Sequence, residues 1–216
     1  KAESYLRMAL KIDNNHKQTM VNLATVLQEK FNVHEAKVHW GKVLEMEPSH
    51  YSGLMGMARA EMKLGDYEAA EDYLRKITDN PIHEHRYWPY VELLNLLYNH
   101  KKSYHEVIKY SKQAQTKAKE AIREQLYLSH IPVVHECLAY IANGDLEMAL
   151  KTAENHIQGS SNNDELNLLL SSIHRALGNN QTSWDFFVKV FHELELINPI
   201  SSTHTDLNYS VDYLGF

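Results

Sequence analysis

A single cysteine, Cys137, is the entire thiol complement of this 216-residue chain. No internal disulfide can form, and a reducing compartment is the expectation. Proline and glycine are also scarce, at five and eight residues, which suits helices joined by short turns. No run of about 18 apolar residues occurs, so no membrane-spanning helix is expected. No charged-then-apolar leader opens the chain. Basic residues do not predominate: 22 Lys and Arg face 28 Asp and Glu, a net charge of −6. Nucleic acid is therefore not an expected partner of the whole chain. These absences describe a soluble, cytoplasmic, all-helical protein.

What the chain does have is a repeat. Ala2, Ala36 and Ala70 fall 34 residues apart, and Leu6, Trp40 and Leu74 keep the same step. So do Ala9, Val43 and Ile77, and then Asn14 with Pro48. A fixed period of this length means that one supersecondary unit is stacked on itself. Such a solenoid grows by adding units and has no single core.

The chain opens with a second (B) helix, Lys1 to Ile12, that has no first (A) helix before it. Complete units follow at Lys17 to His50 and Tyr51 to Glu84, each an A helix, a turn and a B helix. Asn32 with Glu35, and Ser103 with Glu106, have the spacing of capping boxes. Gly65-Asp66 supplies a left-handed C′ residue and then an N-cap, and Gly144-Asp145 nearly copies it. A third unit runs from about Glu84 to Lys119, with Leu94, Asn95 and Tyr98 on its A helix. Between Val107 and Ala149 the step stretches from 34 to 42 residues. The added segment, roughly Ile122 to Ser129, reads as a lengthened A helix kinked near Pro132. A fifth hairpin spans Asn163 to Leu196 and turns at Gly178-Asn179-Asn180. The repeat domain is expected over 1–196, with 197–216 a tail, a cap or the entry to a further domain.

The columns of small residue, large apolar residue and helix-ending proline resemble the tetratricopeptide repeat (TPR) family, most closely over 1–84 and least over 159–196. The A helices depart from its pattern with Met20, Leu54 and Val133 at the bulky aromatic position, and with Ala24 and Ala58 at the glycine. These swaps keep apolar volume, which cores tolerate. The resemblance implies a right-handed superhelical solenoid of antiparallel helix-turn-helix repeats, whose A helices line a concave groove for a peptide. Groove positions by that analogy are Gln18, Val21, Asn22, Thr25 and Gln28, then Met55, Arg59 and Met62, then Glu92, Leu96 and Asn99. Val134, His135, Leu138 and Ile141 follow on the fourth A helix. The amide of Asn22 would bond a peptide backbone, offering both donor and acceptor. Repeats that clamp a chaperone's terminal carboxylate need convergent cations; Val21, Thr25 and Gly56 stand at those places, so that partner is not expected.

Other chemistry has weak support in the residues. Fourteen histidines invite a metal, yet no HExxH or CxxC pattern exists, and His83-Glu84-His85 sits at a unit boundary. Cys137 lies in a small-residue column suited to a buried, inert thiol. No catalytic, cofactor or metal site is expected. Seven cations from Lys101 to Arg123 face only Glu106 and Glu120, either a solvated helix face or a surface that steers an acidic partner. Tyr87-Trp88-Pro89-Tyr90 reads as helix packing. The expected function is a protein-interaction module that binds a peptide or protein segment in the groove. The alternative is a non-catalytic arm, for oligomerisation or substrate presentation, of a larger enzyme such as a glycosyl- or sulfotransferase. A homo-oligomeric scaffold is a third possibility.

Overall fold

The structure, a computed structural model, describes residues 1–83, 86–120, 130–157 and 163–193. Among these residues are eleven α-helices and no strand, so the all-α solenoid class holds. The chain divides into two compact units, Lys1–Asn163 and Asp164–Phe216. The expected extension over 122–129 and the tail 197–216 lie outside the described residues.

The first unit runs α1 (Ala2–Ile12), α2 (Lys17–Glu29), α3 (Val33–Met46), α4 (Tyr51–Leu64), α5 (Tyr67–Thr78), α6 (Trp88–Leu96), α7 (Tyr104–Glu120), α8 (His130–Ala142) and α9 (Leu146–Ile157). Each helix packs on the next, and α2 also touches α4 as α6 touches α8. This near-neighbour pattern is the quasi-one-dimensional build of repeat proteins. The interior follows the 34-residue columns. Ala36, Val43, Ala70 and Leu74 are fully buried, with Trp40 and Ile77 nearly so. One cluster gathers Leu23, Leu27 and Trp40, another Leu74, Leu93, Leu97 and Tyr110, and Leu44 and Tyr73 touch both. The interior from α2 to α7 is therefore continuous.

Turn chemistry explains where the helices stop. Gly65 and Gly144 take φ of 82° and 81°, values that only glycine adopts without steric cost. Behind them the Asp66 carboxylate accepts the Ala69 N–H, and Asp145 accepts that of Met148, both at 3.0 Å. Two caps were not expected. His16 and His50, themselves one repeat apart, accept the N–H groups of Thr19 and Gly53 through Nδ1 at 3.2 Å. The capping box at α3 does not form: Asn32 instead donates to Glu35 at 2.7 Å, and no side chain caps that helix. Glu106 likewise bonds Arg75.

The third hairpin departs from the others. After α6 the chain continues as a π-helical turn, Leu97–Lys101, closed by the Ser103 N–H on the Leu97 carbonyl at 3.0 Å. A π turn accommodates one inserted residue. Accordingly Leu94, fully buried, precedes Val107 by thirteen residues, one more than separates Ala58 from Ala70. Asn95, expected in a packing column, is exposed. Pro132 is buried on α8, and the segment 121–129 before it lies outside the described residues.

The second unit contains the antiparallel pair α10 (Asp164–Ala176) and α11 (Asn180–Glu193). It turns at Gly178, with φ of 81°. Leu166, Leu170 and Ile173 are buried on α10 and Val190 on α11. Between the helices the Ser171 hydroxyl donates to the Ser183 carbonyl at 2.8 Å, and Ser183 returns a bond to the Ser171 carbonyl at 2.7 Å.

Candidate functional site

One face of α4 carries Tyr51, Ser52, Met55, Gly56, Arg59, Met62 and Lys63, spaced to lie in one stripe along the helix. This stripe is one wall of a groove of about 670 Å³. Thr25, Gln28 and Glu29 from α2 and Glu92 from α6 complete the rim, and Trp40 from α3 forms the floor. The floor depends on Gly56: a Cβ there would lie 2.2 Å from Cε2 of Trp40, so only glycine lets the indole lie against the helix. The indole N–H donates to the Gln28 side-chain carbonyl at 3.0 Å. Two thioethers, Met55 and Met62, add apolar and adaptable surface.

Charges are distributed unevenly around this floor. Arg59 reaches across to Glu92, donating through Nε and Nη2 to one oxygen at 3.0 and 2.8 Å. The pair is part-exposed, and such pairs contribute only about 0–1 kcal/mol. Lys63 donates to the Gln28 backbone carbonyl at 3.1 Å and lies 5.0 Å from the centre of the Phe31 ring. At the other end of α4, the Arg86 guanidinium lies 4.5 Å over the Tyr51 ring. Burial pushes the Tyr51 phenol above its ordinary pKa, while Arg86 and Arg59 pull it back. The α5–α7 surface is matched instead. Arg75 pairs with Glu71 and Glu106, and Lys101 with Glu68 and Glu71, all at 2.5–2.7 Å.

Of the groove positions named from the sequence, Thr25, Gln28, Met55, Arg59, Met62 and Glu92 lie together along this groove. The other sites fall elsewhere. Val21 and Leu96 are core residues, at 9% and 0% exposure. Gln18 and Asn22 are exposed and bonded to each other at 3.0 Å, outside the groove lining. Asn99 is exposed within the π turn. The A-helix analogy assumes unbroken α-helical phase, and at α6 the inserted residue ends that phase. Val134, His135, Leu138 and Ile141 are half-buried on α8; His135 is bonded to the Ile131 carbonyl at 2.8 Å and to Asn95 at 3.1 Å. Sequence reasoning did not name Trp40, Tyr51 or Lys63 as groove residues, and it named Gly56 only as a clamp position. One signal was available: the single tryptophan of the Leu6-Trp40-Leu74 column coincides with a mid-helix glycine in the next A helix.

Cys137 is fully buried, and burial pushes its thiol pKa up to about 12, the inert thiol expected. The basic run is partly neutralised, through the Lys101 pairs and a 3.8 Å approach of Lys112 to Glu136. Tyr87, Pro89 and Tyr90 are buried while Trp88 is exposed. No group of three or more potential metal ligands occurs among the described residues; Glu84 and His85 lie outside them. No helix among the described residues is long and apolar enough to cross a membrane.

Residues 51–79 match the family model of the tetratricopeptide repeat. No curated protein matches the chain in sequence. Among solved structures, YrrB, described as a TPR protein with an unusual peptide-binding site, is 14% identical, with a TM-score of 0.59 over 87% of this chain and 91% of its own. MamA 41-end from Desulfovibrio magneticus RS-1 is 17% identical, with 0.64 over 83% and 94%. BtubC (BKLC) from P. vanneervenii is 12% identical, with 0.68 over 97% and 94%. The segment 51–79 is thus a tetratricopeptide repeat, and the fold around it is the helical solenoid that such repeats build.

Proposed function

We propose that the first unit is a protein-interaction module that receives an extended peptide segment in the groove along α4. The observation that carries this reading is the groove itself: an indole floor, two methionine walls and a rim of donors and acceptors. Small-ligand and peptide sites share this plan, an apolar surface with a few placed polar groups. From Tyr51 to Lys63 the helix rises about 18 Å at 1.5 Å per residue. An extended peptide covers that length with about five or six residues. The backbone would meet Gln28, Thr25 and Ser52, and side chains would enter between Met55 and Met62. A neighbour of the same fold is described as having a peptide-binding site, which is consistent with this use of the surface.

The test is selection from a random decapeptide library on immobilised protein, followed by affinity measurement with the selected peptides. Met62→Glu combined with Arg59→Glu alters two groove side chains that are not fully buried and should leave helicity intact. Binding is expected to weaken by at least about tenfold, in line with hot-spot losses. Asn22→Ala, outside the groove, should change little. Equal affinity of wild type and double variant for every selected peptide would remove the reading.

A further inference from the structure

The groove is not electrically uniform, and this narrows what fits it. At the Tyr51 end the Arg86 guanidinium lies 4.5 Å over the Tyr51 ring, and Tyr51 and Arg59 line the groove on one face of α4. Arg86 has no carboxylate partner among the described residues. Arg59 has one, Glu92, in a part-exposed pair. At the opposite end Lys63 is already engaged by the Gln28 carbonyl and the Phe31 ring, with Glu29 on the same rim. Among the described residues, an acidic chain of net charge −6 thus has a local cationic excess at one end of an apolar trough. The ion pairs that join α5 to the π turn and α7 show no such excess, because two cations, Arg75 and Lys101, face three carboxylates, Glu68, Glu71 and Glu106.

The geometry points to an acidic-apolar peptide as the groove's partner: a carboxylate side chain held by Arg86 and Arg59 beside Tyr51, followed by apolar side chains on Met55, Trp40 and Met62. This deepens the peptide-binding reading and rests on it. Guanidiniums suit this task because their planar donors match a carboxylate. Glu92 then acts as an internal competitor. It occupies Arg59 in the free protein and is displaced when the peptide's carboxylate arrives. Exposed pairs of this kind are weakly held and salt-sensitive, so the exchange is feasible.

The experiment uses two pools of fluorescent decapeptides with degenerate Leu, Met and Phe positions. One pool carries a fixed Asp or Glu, and the other carries Asn or Gln in its place. Anisotropy titration is made with the full chain at low and at physiological salt. The acidic pool should bind about tenfold tighter than the amide pool, the worth of one charge-assisted contact, and the ratio should shrink with salt. Arg86→Glu should bring the ratio to one or below. Glu92→Gln should raise the ratio by freeing Arg59. Equal binding of both pools, or a ratio unchanged in Arg86→Glu, overturns the acidic preference and leaves the groove reading standing. Binding of neither pool, with no peptide selected from the random library, overturns both.

Discussion

In the α4–α5 hairpin, Ala58 and Ala70 stand twelve residues apart and both are fully buried. In α10–α11 the same two places hold Ser171 and Ser183, joined by hydroxyl bonds of 2.7–2.8 Å. Four residues before Ala58 is Leu54, in the core; four before Ser171 is Asn167, 2% exposed, with its Oδ1 unpartnered among the described residues. Three residues after Ala58, buried Glu61 is held by Lys37 at 2.7 Å. Three after Ser171, buried His174 stacks on Phe186 and neither ring nitrogen has a partner among the described residues. One backbone plan therefore accepts two interior chemistries. In the first the columns are apolar and the buried charge is compensated. In the second a polar stripe is buried with partners for only some of its atoms, which costs stability.

The largest effect that would test this contrast is in the apolar hairpin. Leu74 is fully buried in the larger cluster, so Leu74→Ala should destabilise the first unit by about 2–5 kcal/mol, the range for buried leucines. Urea or thermal unfolding followed by circular dichroism would measure it. A loss below about 1 kcal/mol would mean that the column does not carry the packing assigned to it.

The same contrast explains what was legible in the sequence. The 34-residue columns identified the packing of α2 to α5 because those residues are apolar and the connections are short. The Gly-Asp turns were equally clear, since a left-handed residue followed by a cap leaves a sequence mark. Two things were hidden. The π turn after α6 inserts one residue with no glycine or proline to announce it, so Leu96 and Asn99 were assigned from the wrong phase. The histidine caps at His16 and His50 replace the usual oxygen acceptors with an imidazole nitrogen, outside the preferred N-cap residues. The groove was half legible, because analogy along A helices finds Thr25, Met55, Arg59 and Met62 but not a floor supplied by the B helix. Trp40 and Gly56 form that floor only as a pair, 16 residues apart in sequence.

A smaller effect, of opposite sign, belongs to the polar hairpin. Asn167→Leu writes into α10 the residue that α4 has at Leu54, and it removes a buried, unpartnered oxygen. Replacing such an atom with apolar volume should stabilise the second unit by about 1–2 kcal/mol. Differential scanning calorimetry of the full chain would show it as an upward shift of the transition to which α11 contributes. A destabilisation of similar size would mean that the Asn167 amide has a structural partner and that the polar stripe is a working network.

The smallest effects test the shared element, the turn. Gly65 and Gly178 have φ of 82° and 81°, and a Cβ added at either meets no atom within 4 Å. Any loss on Gly65→Ala or Gly178→Ala therefore comes from backbone strain alone, about 1 kcal/mol at each. Gly41 provides the internal control. It also has open space around it, but it lies inside α3 with φ outside the positive range. There Gly41→Ala should gain about 0.5–1 kcal/mol through helix propensity and a less flexible unfolded chain. Opposite signs for Gly41 and Gly65, with equal losses at Gly65 and Gly178, would show that both hairpins are turned by one device whatever fills them. Unequal losses at the two turns would tie turn stability to the interior, and the apolar and polar hairpins would then differ in backbone as well as in packing.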